Sequence, residues 1–380
     1  MVPKTHFQAI LFLLSSLYIT SSISIDRVAD YDKWISWNVK TYQKRTILET
    51  KRNVAATGAV GQALDLKLRQ AESNKVTITV SQDGAGDFKT ITEALNSIPP
   101  RNTRRVIVLI APGVYREKVM IPRTLPFITL LGDARGIPTI TGNDTASVTG
   151  RDGTPLGTFQ SATVAVDASY FIAINIKFEN TAPHSIGLVG EQAVAFRISG
   201  TKAAFYNCSF YGAQDTLYDH KGLHYFNNCF IQGSVDFIFG SGRSLYENCY
   251  VNSITKKVAS ITAQKRTNST LESGFSFKNG VVTGSGQVYL GRAWGEYSRV
   301  VYSYTYLDTI VLPKGWSDWG DQKRDLRVYY GEYKCSGPGA NLTGRVPWAR
   351  MLTDEEAKPF IGIHFIEGDT WLISPFAYPI

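Results

Sequence analysis

The sequence predicts an all-β chain wound as a parallel β-helix, with a few short peripheral helices. Three observations carry that prediction. Tyr206-Asn-Cys-Ser-Phe210, Phe226-Asn-Asn-Cys-Phe230 and Glu247-Asn-Cys-Tyr250 repeat with their cysteines 21 and 20 residues apart. Phe178-Glu-Asn180 precedes this series and Lys278-Asn-Gly-Val-Val282 follows it. A period in the low twenties, built of strands and turns, is the mark of stacked coils, each covering its neighbour's apolar face. On this pattern Asn and Cys at equal phase stack as internal ladders; an antiparallel sandwich, the bland alternative, leaves the equal phase unexplained. Second, Gly, Tyr, Val, Thr and Ile dominate the middle of the chain, where Leu-Ala-Glu-Lys runs are scarce. Third, the 380 residues are 43% hydrophobic and only 19% charged, with 33 glycines, enough apolar material for one long core.

Residues 1–24 read as a secretory signal: Lys4 is the positive n-region, Phe7 to Ile19 the apolar h-region, and Ser22 and Ser24 the small residues of a cleavage site. The apolar run is too short for a membrane span, and the competing reading is a buried N-terminal helix. Residues 25–75, with Trp34, Trp37, Tyr42 and many basic residues, read as a leader, helical or loosely ordered. Residues 76–380 form the main domain. It opens with strands such as Val76–Val80 and Val106–Ile110 between Gly and Pro turns. An amphipathic helix is predicted over Asp87–Ile98, with Phe88, Ile91, Ala94 and Leu95 on one face.

Export gives meaning to four Asn-x-Ser/Thr sequons, at Asn143, Asn207, Asn268 and Asn341. Asn207 is the poorest acceptor of the four, since its neighbours read as strand interior. Cys208, Cys229, Cys249 and Cys335 are too few for a disulfide scaffold, though one bridge suits an oxidising compartment. None has CxxC spacing and there are five histidines, so a zinc site is not expected. The net charge of +8 suits a polyanionic partner. For an exported chain without a nucleic-acid motif, an acidic extracellular polysaccharide fits better than nucleic acid.

The chemistry rests on two acids. Gly212-Ala-Gln-Asp-Thr-Leu-Tyr218 and Gly233-Ser-Val-Asp-Phe-Ile-Phe-Gly240 each set an aspartate between a turn glycine and an aromatic run. Asp215 and Asp236 are one repeat apart, so in a β-helix they stand on adjacent coils, with backbones about 4.8 Å apart. Two carboxylates that close do not both ionise cheaply, and one keeps its proton near neutral pH. Gln192 lies about one coil before Asp215 and Gln214 directly precedes it; uncharged amide donors beside the pair suit a developing oxyanion. Arg292, in Tyr289-Leu-Gly-Arg-Ala-Trp-Gly295, can form a bidentate bond to one aspartate and keep it ionised. Singly each residue has a bland reading: an aspartate capping a turn, a glutamine in a ladder, an arginine pairing at the surface. Together they specify a site.

Five segments, Gly113-Val-Tyr-Arg-Glu117, Gln192-Ala-Val-Ala-Phe-Arg197, Gly212–Tyr218, Gly233–Gly240 and Leu290-Gly-Arg-Ala-Trp294, resemble in order and spacing the signatures of plant pectin methylesterases, over roughly residues 76–375. The resemblance implies a right-handed, pectin-lyase-like parallel β-helix that hydrolyses the C6 methyl esters of homogalacturonan in the cell wall. It implies Asp236 as nucleophile, Asp215 as proton donor, and Gln192 and Gln214 as oxyanion and substrate contacts. Arg292, Trp294 and Thr158 would bind substrate, with Tyr218, Phe239 and Trp316 lining the sugar groove. Cys229 and Cys249 match positions that are disulfide-bonded in many plant members. No cofactor or metal is implied; the partners would be pectin and a proteinaceous pectinesterase inhibitor, and the chain a monomer. Two motifs depart from the family: Gly-Arg-Pro-Trp is Gly-Arg-Ala-Trp here, and Thr-Ala-Gln-Gly-Arg is Thr262-Ala-Gln-Lys-Arg266. Both bear on subsite preference. The large inhibitor-like pro-region of many plant members is missing, so the resemblance is to the short subgroup, and within it to the quartet type.

Competing functions have weaker support. A Ser-His-Asp hydrolase lacks its G-x-S-x-G elbow. A polygalacturonase on this fold would carry Gly-His-Gly, and a pectate lyase would need clustered acids for calcium. A non-catalytic wall protein that binds pectin would have no need of the Gln-Asp-Asp-Arg set.

Overall fold

The computed structural model describes residues 64–377, apart from 134 and 184–188. The predicted signal and most of the leader lie outside the described residues. Eleven strands, from Val76–Val80 to Arg350–Met351, stack into one parallel sheet. A second sheet of fourteen strands bends through the long strands Tyr250–Gln264 and Val281–Ala293, and so supplies two further faces. The result is a three-faced parallel β-helix. Asn207-Cys208, Asn228-Cys229 and Asn248-Cys249 fall at the same corner of successive coils, as the register Ser209↔Phe230↔Tyr250 requires.

The repeated asparagine does its work at that corner. Asn175, Asn207, Asn228, Asn248 and Asn279 all have left-handed φ, between 50° and 56°. Asparagine tolerates this conformation better than other residues with a side chain, and each coil needs it to turn from the first face to the second. The corner is exposed, so the asparagine ladder is external, not internal as expected. Asn207 is exposed there too, with its amide nitrogen bonded to Asn175 Oδ1 at 2.7 Å. The cysteines do point inward and are buried. Inside, Phe205, Phe226, Tyr246, Phe277 and Tyr302 form one stacked column with centroid spacings of 4.4–4.6 Å. Each such pair contributes about 0.5–1.5 kcal/mol beyond its buried area.

The expected Cys229–Cys249 disulfide is absent: all four cysteines are free thiols. In-register parallel coils carry equal-phase side chains side by side, and each sulfur is aimed at main-chain carbonyls. Cys229 Sγ donates to Asn227 O at 3.5 Å and Phe205 O at 3.6 Å, and Cys249 Sγ to Glu247 O and Phe226 O, both at 3.5 Å.

The N-terminal end is capped. Helix Leu66–Glu72 buries Leu68 and Ala71. Asp65 accepts hydrogen bonds from Tyr170 Oη at 2.7 Å and from Lys202, while Glu72 pairs with the buried Arg105 at 2.7 Å. The helix predicted over Asp87–Ile98 is shorter, Ile91–Asn96. Its start is set by a capping box, in which Thr90 accepts from the Glu93 N–H and Glu93 from the Thr90 N–H. The Asp87 carboxylate is taken by the N–H and hydroxyl of Thr79, and Phe88 bridges to Val80, so the preceding segment stays extended.

Candidate active site

The third face carries the site. Its strands Phe196–Ile198, Leu217–Asp219 and Ile238–Gly240 pair with Thr262–Gln264, and these with Gly291–Ala293, in register. Arg197, Tyr218, Phe239, Ala263 and Arg292 thereby form one outward row on successive coils. Asp215 and Asp236 each lie two residues before their strands, at the same phase of neighbouring coils, with left-handed φ of 65° and 48°. Two non-glycine residues held in this sparsely populated region mark a point where the fold imposes the conformation. Gly233, three residues before Asp236, is obligatory: a Cβ there would lie 2.1 Å from Phe237 Cβ.

The two carboxyls are buried, Asp215 8% and Asp236 6% exposed. Arg292 makes a bidentate bond to Asp236, Nε to Oδ1 at 2.7 Å and Nη2 to Oδ2. Burial, and then the negative charge of Asp236, push the Asp215 carboxyl well above the ordinary carboxylate range, with Arg292 a smaller opposing influence. Burial also raises Asp236, and the Arg292 bond pulls it back. Burial thus raises both carboxyls, Asp215 the further, and only Asp236 has the guanidinium as partner.

Thr158, Gln192, Gln214, Asp215, Tyr218, Asp236, Phe239, Arg292 and Trp294 share one cleft of about 450 Å³. Phe239 stacks on Tyr218 at 4.2 Å. Trp294 is positioned by Arg324, whose Nη1 donates to the carbonyls of Ala293 and Trp294. Thr158 lies on the short helix Gly157–Gln160. Its neighbour Phe159 packs over Arg197, 3.6 Å from guanidinium to ring, and Arg197 is fixed by Asp167 at 2.7 Å.

Trp316 is a correction. It is 1% exposed, stacked on Tyr330 at 4.5 Å, with its indole N–H donating to Glu332 at 3.1 Å. It pairs with Gly291, whose missing side chain leaves the inward space that the indole occupies. The groove tryptophan is Trp319, 38% exposed, with the Arg292 guanidinium 3.9 Å from its ring centre. Phe159 and Lys265 also line the cleft; no signal in the sequence singles out Phe159, while Lys265 stands out only as a departure from the family motif. Trp316→Ala should therefore destabilise the fold by about 3–5 kcal/mol. Trp319→Ala should stay within about 0.5 kcal/mol of the parent. Thermal unfolding of the two variants separates the roles.

Among the described residues no group of three or more His, Cys, Asp or Glu side chains is placed to hold a metal ion, and no helix is long and apolar enough to cross a membrane. Asn143, Asn207, Asn268 and Asn341 are all exposed.

Comparison with known proteins agrees with this geometry. The pectinesterase family model matches residues 77–369. Pectinesterase QRT1 of Arabidopsis thaliana is 48% identical over 297 residues, 78% of each chain. Probable pectinesterase 50 of the same plant is 42% identical, covering 92% of this chain and 91% of its own. Among solved structures, carrot pectin methylesterase superposes with a TM-score of 0.72 at 35% identity, over 80% of this chain and 96% of its own. A pectin methylesterase in complex with a hexasaccharide superposes with a TM-score of 0.67 at 27% identity, over 78% and 98%.

Proposed function

Because the chain belongs to the pectinesterase family of carboxylic ester hydrolases, we propose that it removes the C6 methyl esters of homogalacturonan by a two-aspartate covalent mechanism. The observation that carries this reading is the asymmetry of the buried pair: a bidentate arginine on Asp236 and none on Asp215.

In this reading the Asp236 carboxylate attacks the ester carbonyl carbon. Arg292 keeps that carboxylate ionised and oriented. The charge that develops on the carbonyl oxygen is met by the side-chain amides of Gln192 and Gln214, which have no hydrogen-bond partner among the described residues and line the same cleft. As the C–O bond to the methoxy group breaks, Asp215 gives its proton to the leaving oxygen and methanol departs. An acyl-enzyme anhydride on Asp236 remains. Asp215, now ionised, takes a proton from water, and the hydroxide oxygen attacks the acyl carbon. Asp236 leaves as a carboxylate, Asp215 is protonated again, and the product is the free C6 acid. Every group needed belongs to the chain. Tyr218, Phe239, Trp294 and Trp319 supply flat surfaces for the sugar rings.

The sequons and the N-terminal apolar segment support an exported, glycosylated cell-wall protein, and the charge of +8 supports pectin as its polyanionic partner. A proteinaceous inhibitor and a monomeric state belong to the same reading. The test is an assay of the purified protein on highly esterified pectin. Methanol should be released with an equal number of new carboxylates and no change in chain length. New reducing ends, new unsaturated ends, or binding without methanol would overturn the reading.

A further inference from the structure

Arg292 reaches Asp236 from the groove, and its side chain is 33% exposed, against 9% for the carboxylate it holds. A long side chain so open to water gives up rotamer freedom to keep two nitrogens on one carboxylate, so a further contact that fixes it strengthens the pair. That contact comes from the next coil. Gly291 and Arg292 pair with Trp316 and Ser317, which sets Ser317 beside Arg292. The chain then leaves the strand in a tight turn. Trp319 N–H donates to Ser317 Oγ at 3.3 Å and Gly320 N–H to Asp318 Oδ1 at 2.9 Å. Trp319 and Gly320 both take left-handed φ, 65° and 75°. Glycine adopts that conformation freely; a tryptophan there is strained, and the surrounding fold imposes it. The turn brings the indole over the Arg292 guanidinium, 3.9 Å from its ring centre.

The same loop also grips the main chain beside Arg292. Asp321 accepts from the Lys323 N–H and, at 3.3 Å, from Arg324 Nε. Arg324 Nη1 donates to the carbonyls of Ala293 and Trp294, the two residues after Arg292. The side chain and the strand of Arg292 are thus both met by residues 319–324. Core packing does not call for this splint: Trp319 is 38% exposed, and no residue from 317 to 327 is buried. A sugar platform alone does not call for it either, since the guanidinium takes one face of the indole.

We propose that Trp319 is a positioning residue for the reaction: its ring holds the Arg292 guanidinium where two nitrogens reach the Asp236 carboxylate, and Arg324 keeps loop and strand in step. The proposal rests on the esterase reading above and deepens it, by naming what sets the arginine that serves the nucleophile.

Two measurements test it. The first is the pH profile of kcat and KM on highly esterified pectin for Trp319→Gly, Trp319→Leu and Trp319→Phe. Glycine keeps the left-handed turn without the ring, leucine keeps apolar bulk without a π face, and phenylalanine keeps a ring. In the glycine and leucine variants kcat should fall about fivefold, the scale of one partly exposed cation–π contact. Their acid limb should move to higher pH, because a loosened guanidinium lets the Asp236 carboxyl rise. Phenylalanine should recover most of both changes, and in an Arg292→Ala background Trp319→Gly should move the limb no further. The charged and titratable groups around the pair are Asp215 on the preceding coil, the buried phenol of Tyr330, Lys265 along the cleft, and Asp318, Asp321 and Arg324 of the loop. All are kept in these variants, so a moved limb reports on the ring. A raised KM with an unmoved limb would make Trp319 a sugar platform only, and a lowered melting temperature with an unmoved limb a packing residue only; either overturns the proposal. The second measurement uses no turnover. Carbon-13 NMR of the resting protein follows the Asp236 carboxyl, assigned by its absence in Asp236→Asn, and its titration should move to higher pH in Trp319→Gly. The same titration in parent and variant would overturn the proposal while leaving the esterase reading intact. Absence of methanol release from the parent would remove the esterase reading, and the carboxyl titration would still decide whether Trp319 holds Arg292 on Asp236.

Discussion

Asp236→Asn should abolish methanol release, with an expected loss of about 10⁴-fold or more, the scale seen when a covalent nucleophile is removed. The substitution is nearly isosteric, so the left-handed backbone at residue 236 and its N–H bond to Ser260 O stay satisfied. Two changes act at once. The attacking oxygen becomes a poorly nucleophilic amide, and the negative charge that helps hold a proton on Asp215 disappears. Asp215 then titrates lower, so the variant loses acid catalysis as well as the nucleophile. Binding of pectin fragments, which depends on Trp294, Trp319, Tyr218 and the basic groups of the cleft, should stay within a few-fold of the parent. Calorimetry beside the methanol assay checks both halves. Activity retained in this variant would refute the covalent scheme.

Arg292→Ala has the second largest effect, and its sign with pH can be worked out. Arg292 is the group that lowers the Asp236 carboxyl against the cost of burial. Without it, Asp236 rises and competes with Asp215 for one proton, so nucleophile and donor are each present in a smaller fraction of molecules. In the proposed mechanism the active form has Asp236 ionised and Asp215 protonated. Its acid limb follows Asp236 and its alkaline limb follows Asp215. Removing the guanidinium moves the acid limb to higher pH. It also removes a weak lowering influence on Asp215, so the alkaline limb moves up as well, by less. The profile should shift to higher pH and narrow, with the maximal rate down by about 10²–10³-fold, the scale of one lost electrostatic contact at the reacting centre. Stability falls too, because a buried charge that loses its partner costs about 3–5 kcal/mol. That cost applies only while Asp236 is ionised. With a folded-state value above the unfolded one, the protonated carboxyl is the better tolerated form, so the variant recovers stability as pH falls toward the ordinary aspartate range. The parent's pH–rate profile and melting curves retained in the variant would show that Arg292 does not set the roles of the two acids.

Much of this was legible in the sequence because a solenoid writes its geometry into its period. The 21-residue interval between Asp215 and Asp236, and the same interval between Cys208 and Cys229, needed only a ruler. What the period cannot say is which way a residue points once the coil leaves regular strand. Trp316 and Trp319 sit three residues apart in Gly315-Trp-Ser-Asp-Trp319, and no alternation separates them. Their roles are decided by Gly291, one coil earlier, which makes room for one indole inside. The asparagine repeat suggests an interior ladder for a related reason. A ladder is visible in sequence, while the left-handed turn that puts it outside is a property of the backbone. The helix starts at Ile91, later than the apolar spacing of Phe88 with Ile91 suggests, because the Thr90–Glu93 capping box fixes its first turn. Lys265 was noticed as a departure from a motif, but only the pairing of two distant strands sets it over Trp294.

The coil stacking has a consequence for how such a site can change over time. The two acids are not held apart by the bulk of neighbouring side chains, nor by a hinge or a loop of particular length. They occupy consecutive rungs, and the rung spacing is set by the length of a main-chain hydrogen bond, about 4.8 Å in any parallel sheet. Their separation is a lattice constant. Substitutions elsewhere in a coil can drift, and a corner can gain or lose residues, without altering the distance over which the proton is shared. A single residue inserted inside the strand itself would turn every following side chain to the opposite surface. Chemistry mounted this way is robust to gradual wear and brittle to slips in phase.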